Sequence, residues 1–208
     1  MFDFRDGDVL VTNGKGGFWP LRRLVLWIVY RGIRAYQKAK WGAASDYRPT
    51  HVRVWLGGGF FEMTVPNGCW TPLADIALNS KDWKVARYRG QTPLDPAAMA
   101  AVAQEMVGKP YDKGDLLDFA LSGLAGLFAR TFRILGDRAN KYRVCSTAAA
   151  KVLVAGGAQI RVVRADLQPD AEIAHNFSGD TTILPDDAVD PAYFINNPST
   201  WEVVGDNT

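Results

Sequence analysis

Apolar residues alternate with polar ones in short runs near the start and middle of the chain, and take helical spacing elsewhere. Residues 8–12 predict a short strand after an Asp6-Gly7 turn. Leu21, Leu24, Val25, Ile28, Gly32 and Ala35 recur at the spacing of a helix over residues 21–40. The run 51–56 alternates, three glycines follow, and 60–65 resumes the apolar pattern, so the segment predicts a hairpin. Trp83–Tyr88 predicts a further strand. Residues 95–107 predict a helix with Asp95 as N-cap, Pro96 in its first turn and Gly108 past its end. Residues 116–135 read as helical. An alanine-rich helix over 146–155 ends at Gly156-Gly157. Residues 181–185 and 200–204 read as short edge strands. Strands and helices segregate along the chain, which predicts the α+β class.

The chain has 208 residues, 48% of them hydrophobic and 22% charged. This composition predicts one domain over 1–208 with a buried core, and excludes a disordered chain, a collagen-like fibre and a coiled coil. A formal charge of +2 gives no reason to expect nucleic acid as a partner. Charge is nonetheless uneven. Residues 15–53 carry nine basic residues and one acidic residue, whereas the chain from Arg161 onward carries nine acidic and two basic ones. Interleaving with a helix reads most simply as a solvated face, and the sharper alternative is a basic face for an anionic polymer or lipid headgroup. The apolar run 24–30 is far shorter than the roughly 20 residues of a spanning helix. The N-terminus lacks the basic and apolar regions of a signal peptide. The expected location is the cytoplasm, or delivery by lysis, a secretion system or a phage particle.

Candidate chemistry is narrowed by scarcity: the chain has two cysteines, Cys69 and Cys145, and two histidines, His51 and His175. Two cysteines cannot make a disulfide framework, and two of each residue, far apart in the chain, lack the close spacing of a zinc site; no metal and no organic cofactor is expected. No Gly-x-x-x-x-Gly-Lys-Ser/Thr loop occurs, and Gly57-Gly58-Gly59 leads into a strand rather than a helix, which excludes a phosphate cradle. Cys145 stands where the alanine-rich helix begins. The positive end of that helix favours a thiolate, the form that attacks carbonyls; a buried structural cysteine is the alternative. Cys69, in Asn67-Gly68-Cys69-Trp70, reads as a structural residue in a turn. His51 opens a strand and suits a base, although a core histidine bonded to backbone has the same signature. His175 reads as a surface residue. With a two-residue Gly57-Gly58 loop, Leu56 faces Gly59, Arg53 faces Glu62 and His51 faces Thr64. His51, Arg53, Glu62 and Thr64 then share one face, and Glu62 lies diagonal to His51, within reach of it. A three-residue loop would put Glu62 on the other face. Pairing of Glu62 with Arg53 alone is the competing reading.

With these residues in place, the chain resembles the circularly permuted branch of the NlpC/P60 papain-like superfamily, close to the YiiX/YaeF-type enzymes. His51 precedes Cys145, the reverse of the papain order. Asp6-Gly7-Asp8-Val9-Leu10, Thr50-His51-Val52 through Glu62, Gly108-Lys109-Pro110-Tyr111-Asp112, Tyr142-Arg143-Val144-Cys145-Ser146 and Leu184-Pro185-Asp186-Asp187-Ala188 look like that family's successive segments. The resemblance implies a small antiparallel sheet packed on the helix led by the cysteine. It implies Cys145 as nucleophile, His51 as general base and acid, Glu62 as orienter and the Cys145 N–H in an oxyanion hole. Tyr111 and Tyr142 would line the substrate site, with core packing an equally good account of both. Residues 16–47 and 116–141 look like helical insertions that read as a lid, a substrate groove or a docking surface, the basic first one toward a larger assembly or membrane surface. The activity implied is a cysteine hydrolase acting through a thioester on a peptide or amino-acyl amide, with cell-wall peptide favoured. The alternatives are a lipid acyltransferase or thioesterase with the same triad, and a structural component of an assembly such as a virion.

Overall fold

The computed structural model describes residues 2–13, 34, 37, 49–76, 82–111, 145–163, 172–174 and 192–207. The expectations for 16–47 (Arg34 and Gln37 apart), 116–141, Tyr142, His175 and 181–188 lie outside the described residues.

Within them the chain is α+β, built on a six-stranded antiparallel sheet. Its strands are β1 (Val9–Thr12), β2 (His51–Leu56), β3 (Gly59–Met63), β4 (Gly68–Pro72), β5 (Trp83–Tyr88) and β8 (Trp201–Asp206), in the spatial order β4-β3-β2-β1-β5-β8. The short strands β6 (Arg161–Val163) and β7 (Glu172–Ala174) pair separately. Three α-helices are described: α1 (Pro96–Met106), α2 (Cys145–Ala155) and α3 (Tyr193–Asn196).

The hairpin follows from its glycines. Gly57 and Gly58 have φ of 55° and 94°, the positive values that a two-residue type I′ loop requires. Leu56 therefore pairs with Gly59, and Trp55 with Phe60. The α1 signals are realised too. The Asp95 side chain accepts from the Ala97 and Ala98 N–H groups, and Gly108 follows the helix at φ 77°. The reading of 67–70 as a turn is corrected: Cys69 lies in β4, which pairs with β3 through Glu62↔Cys69. Gly68 and Pro72 are poor strand formers, and β4 tolerates Pro72 because it sits at the sheet edge. The later edge strand runs over Trp201–Asp206 rather than 200–204.

Two apolar layers hold the sheet. Val9, Val11, Val52, Val54, Phe61 and Met63 are buried against Met99 and Ala103 of α1 and Ala148, Ala149, Val152 and Leu153 of α2. Burying a Val or Leu side chain in such a layer contributes about 1.5–3 kcal/mol. The alternate positions Leu10, Phe60 and Val85 form the second layer, covered by Phe2, Phe4, Trp55 and Trp83. Phe4 stacks on Trp55 at 5.0 Å and meets Phe60 edge-on at 5.1 Å.

One close approach positions the site. A Cβ on Gly68 would lie 2.4 Å from the Met106 carbonyl oxygen, so only glycine lets β4 touch the end of α1 there. Gly68 and the following loop then exchange backbone hydrogen bonds: Gly108 N–H to Gly68 O at 2.9 Å and Gly68 N–H to Lys109 O at 3.0 Å. The Tyr111 N–H completes the docking by donating to Pro66 O at 3.0 Å.

Candidate active site

Cys145 is the first residue of α2 and is 6% exposed. Helix α2 packs across β2 and β3, so its positive N-terminal end lies near the start of the histidine strand. His51 opens β2 and therefore stands at the end of the sheet. His51, the Val52 backbone N–H and the Tyr111 side chain surround the Cys145 sulfur, and each favours its thiolate. The docked Gly108–Tyr111 loop thus brings Tyr111, buried at its edge, to the nucleophile candidate. Of the two tyrosines singled out in the sequence, Tyr111 is at the site and Tyr142 lies outside the described residues.

Glu62 completes the group. Its side chain is 6% exposed and lies on the same sheet face as His51, as the two-residue loop demands. His51 Nε2–H donates to Glu62 Oε2 at 2.5 Å. That leaves Nδ1 as the ring nitrogen for the sulfur. The competing Arg53 pairing is present as well: Arg53 Nε lies 2.9 Å from the same Oε2, as an ion pair without hydrogen-bond alignment. Arg53 Nη1 donates to Thr12 Oγ1 at 3.1 Å. One residue escaped the sequence reading. Thr71 Oγ1 donates to Glu62 Oε1 at 2.5 Å. It was hidden because β4 was hidden; alternation from Cys69, the partner of Glu62, places Thr71 on that face.

The electrostatics follow from these contacts. Burial alone would push the Cys145 thiol up, but the hydrogen bond and charge of His51, then the Val52 N–H and Tyr111, hold it below its ordinary value. Burial would likewise lower His51, yet its bonds to Cys145 and Glu62 raise it, against the opposing charge of Arg53. Burial would raise Glu62, but the His51 bond and charge, Arg53 and the Thr71 hydroxyl bring it down to about 2. The set favours a thiolate beside an imidazolium. Cys69 moves the other way: burial and the Glu62 charge raise its thiol. The two cysteines are thus chemically distinct, and both are free thiols.

Among the described residues no group of three His, Cys, Asp or Glu side chains is placed to hold a metal ion. No described helix is long and apolar enough to cross a membrane. The Asp8 segment has a structural role. Asp8, 1% exposed, accepts two bonds from Arg87, at 2.8 and 2.7 Å, and one from the Arg5 N–H. This network ties β1 to β5 away from the sulfur.

Comparison of the chain with family models, curated proteins and solved structures returns no match.

Proposed function

We propose that the chain is a cysteine hydrolase of the permuted papain-like, NlpC/P60 type. The observation that carries this reading is the arrangement at the head of α2: His51 beside Cys145 and favouring its thiolate, with Nε2 of His51 held by the ionised Glu62. A buried structural cysteine needs no imidazole at its sulfur, and a core histidine needs no carboxylate held ionised by three partners. The order along the chain, histidine strand before cysteine helix, supports the permuted arrangement.

In this mechanism the Cys145 thiolate attacks the carbonyl carbon of an amide. The oxyanion that forms is received by the Cys145 N–H, one of the helix-start donors that have no intrahelical acceptor. The imidazolium of His51 gives its proton to the leaving nitrogen as the C–N bond breaks, which leaves a thioester on Cys145 and a free amine. Neutral His51 then takes a proton from water. The hydroxide attacks the thioester, the carboxylic acid product departs, and the thiolate and imidazolium are restored. Glu62 keeps the ring oriented and stabilises its charged form.

The substrate favoured is a cell-wall peptide or another amino-acyl amide, a choice that rests on the family resemblance. Turnover of peptidoglycan stem-peptide amides, assayed beside long-chain acyl esters, tests it. Amide cleavage is expected, and Cys145→Ala is expected to reduce it on the order of 10³-fold or more. Cleavage of acyl esters alone would move the substrate class to lipids. Turnover unchanged in Cys145→Ala would overturn the mechanism.

A further inference from the structure

The Glu62 carboxylate has two oxygens and three partners. Oε2 faces both His51 and Arg53, while Oε1 faces Thr71. His51 and Arg53 therefore compete for one oxygen. A guanidinium gains most from a carboxylate when it engages both oxygens side by side. Arg53 falls short of that arrangement: its Nε contact to Oε2 is unaligned, and its Nη1 is turned to Thr12. What occupies the second oxygen is the hydroxyl of Thr71, delivered by the β3–β4 register Glu62↔Cys69 two residues earlier.

We propose that Thr71 is a positioning residue, which reserves Glu62 Oε2 for His51 by holding Oε1 away from Arg53. Without the hydroxyl, the carboxylate is free to turn into a two-oxygen pairing with Arg53, and His51 loses its anchor. The charged and titratable groups around His51 among the described residues are Cys145, Glu62 and Arg53, with Tyr111 on the sulfur and Cys69 opposite Glu62. Thr71 carries no charge of its own, so its influence on His51 passes through the direction of the carboxylate. The proposal deepens the cysteine-hydrolase reading and rests on it for its catalytic meaning.

The test is an NMR titration of the His51 ring in the full chain, for wild type, Thr71→Val, Thr71→Ala and Thr71→Ser. With only two histidines in the chain, a His175→Gln companion assigns the signal. In Thr71→Val and Thr71→Ala the His51 midpoint is expected to fall by about one pH unit, the size of one charge-assisted hydrogen bond. Thr71→Ser, which keeps the hydroxyl, is expected to titrate as wild type does. Thr71→Ala is smaller than the native residue and cannot clash, so it reports even if the valine disturbs β4. An unchanged midpoint in Thr71→Ala, or an equal fall in Thr71→Ser, would overturn the proposal. The ring titration is independent of turnover. A failure of Cys145 as nucleophile would show as an ordinary thiol profile in wild type and would leave the Thr71 result readable.

Discussion

Replacing His51 by alanine, in a Cys69→Ser background, is expected to slow alkylation of Cys145 by iodoacetamide about a hundredfold at pH 6. The reason is the balance of opposed effects at the sulfur. Burial is the largest influence on Cys145 and acts against the thiolate; the hydrogen bond and charge of His51 are what overcome it. The Val52 N–H, Tyr111 and the helix terminus remain in the variant, but each is weaker than the imidazolium. The sulfur then returns to the protonated form at pH 6. The gap between variant and wild type closes at high pH, where the thiol ionises unaided. Removing Cys69 makes the readout single-valued, and that residue's raised thiol keeps its own labelling slow in any case. Equal rates at pH 6 in the two proteins would mean that His51 does not govern the sulfur.

The second large effect is on stability in acid. Glu62 falls from an ordinary 4.5 to about 2 in the folded chain. A carboxylate with a depressed folded value contributes stability that is fully present above the unfolded value of 4.5 and is lost as pH drops through about 2. The size is about 3 kcal/mol by linkage, shared among its partners His51, Arg53 and Thr71. His51 acts at the other end. Its raised value contributes stability below 6.5 that fades as pH rises, so His51 does not contribute to the acid limb, and the Glu62→Gln comparison separates Glu62 from the other carboxylates. Glu62→Gln keeps the shape and removes the charge. Its urea midpoint is expected to stay nearly flat between pH 5 and pH 2, while that of the wild type falls steeply. A parallel fall in both proteins would assign the acid limb to other carboxylates.

Local signals in the sequence carried much of the hairpin and little of what surrounds it. Gly57-Gly58 demanded a tight loop, the loop fixed the register, and the register put Glu62 on the face of His51. The helix over 95–107 was legible from Asp95, Pro96 and Gly108 because capping chemistry is local. The start of α2 was legible from its alanines and the glycines that end it. By contrast β4 was masked, since Asn67-Gly68 at its start and Pro72 at its end outweigh the strand preference of Trp70 and Thr71, and Thr71 was lost with it. The meeting of Cys145 with His51 was not legible from periodicity either, because α2 reaches β2 through tertiary packing; it rested on the family resemblance. Arg53 teaches a further point. A His51 contact and an Arg53 ion pair read as rivals for Glu62 in the sequence, yet one carboxylate accommodates both.

The central claim is that Cys145 carries an acyl group through a thioester, and intact-protein mass spectrometry tests it directly. The full chain is incubated with an amino-acyl amide and, separately, with an activated acyl ester, then quenched in acid. One added acyl group is expected, mapped to Cys145, released by neutral hydroxylamine as a thioester is, and missing in Cys145→Ala. An adduct on any other residue, or none on a Cys145 that iodoacetamide still labels, would contradict the account.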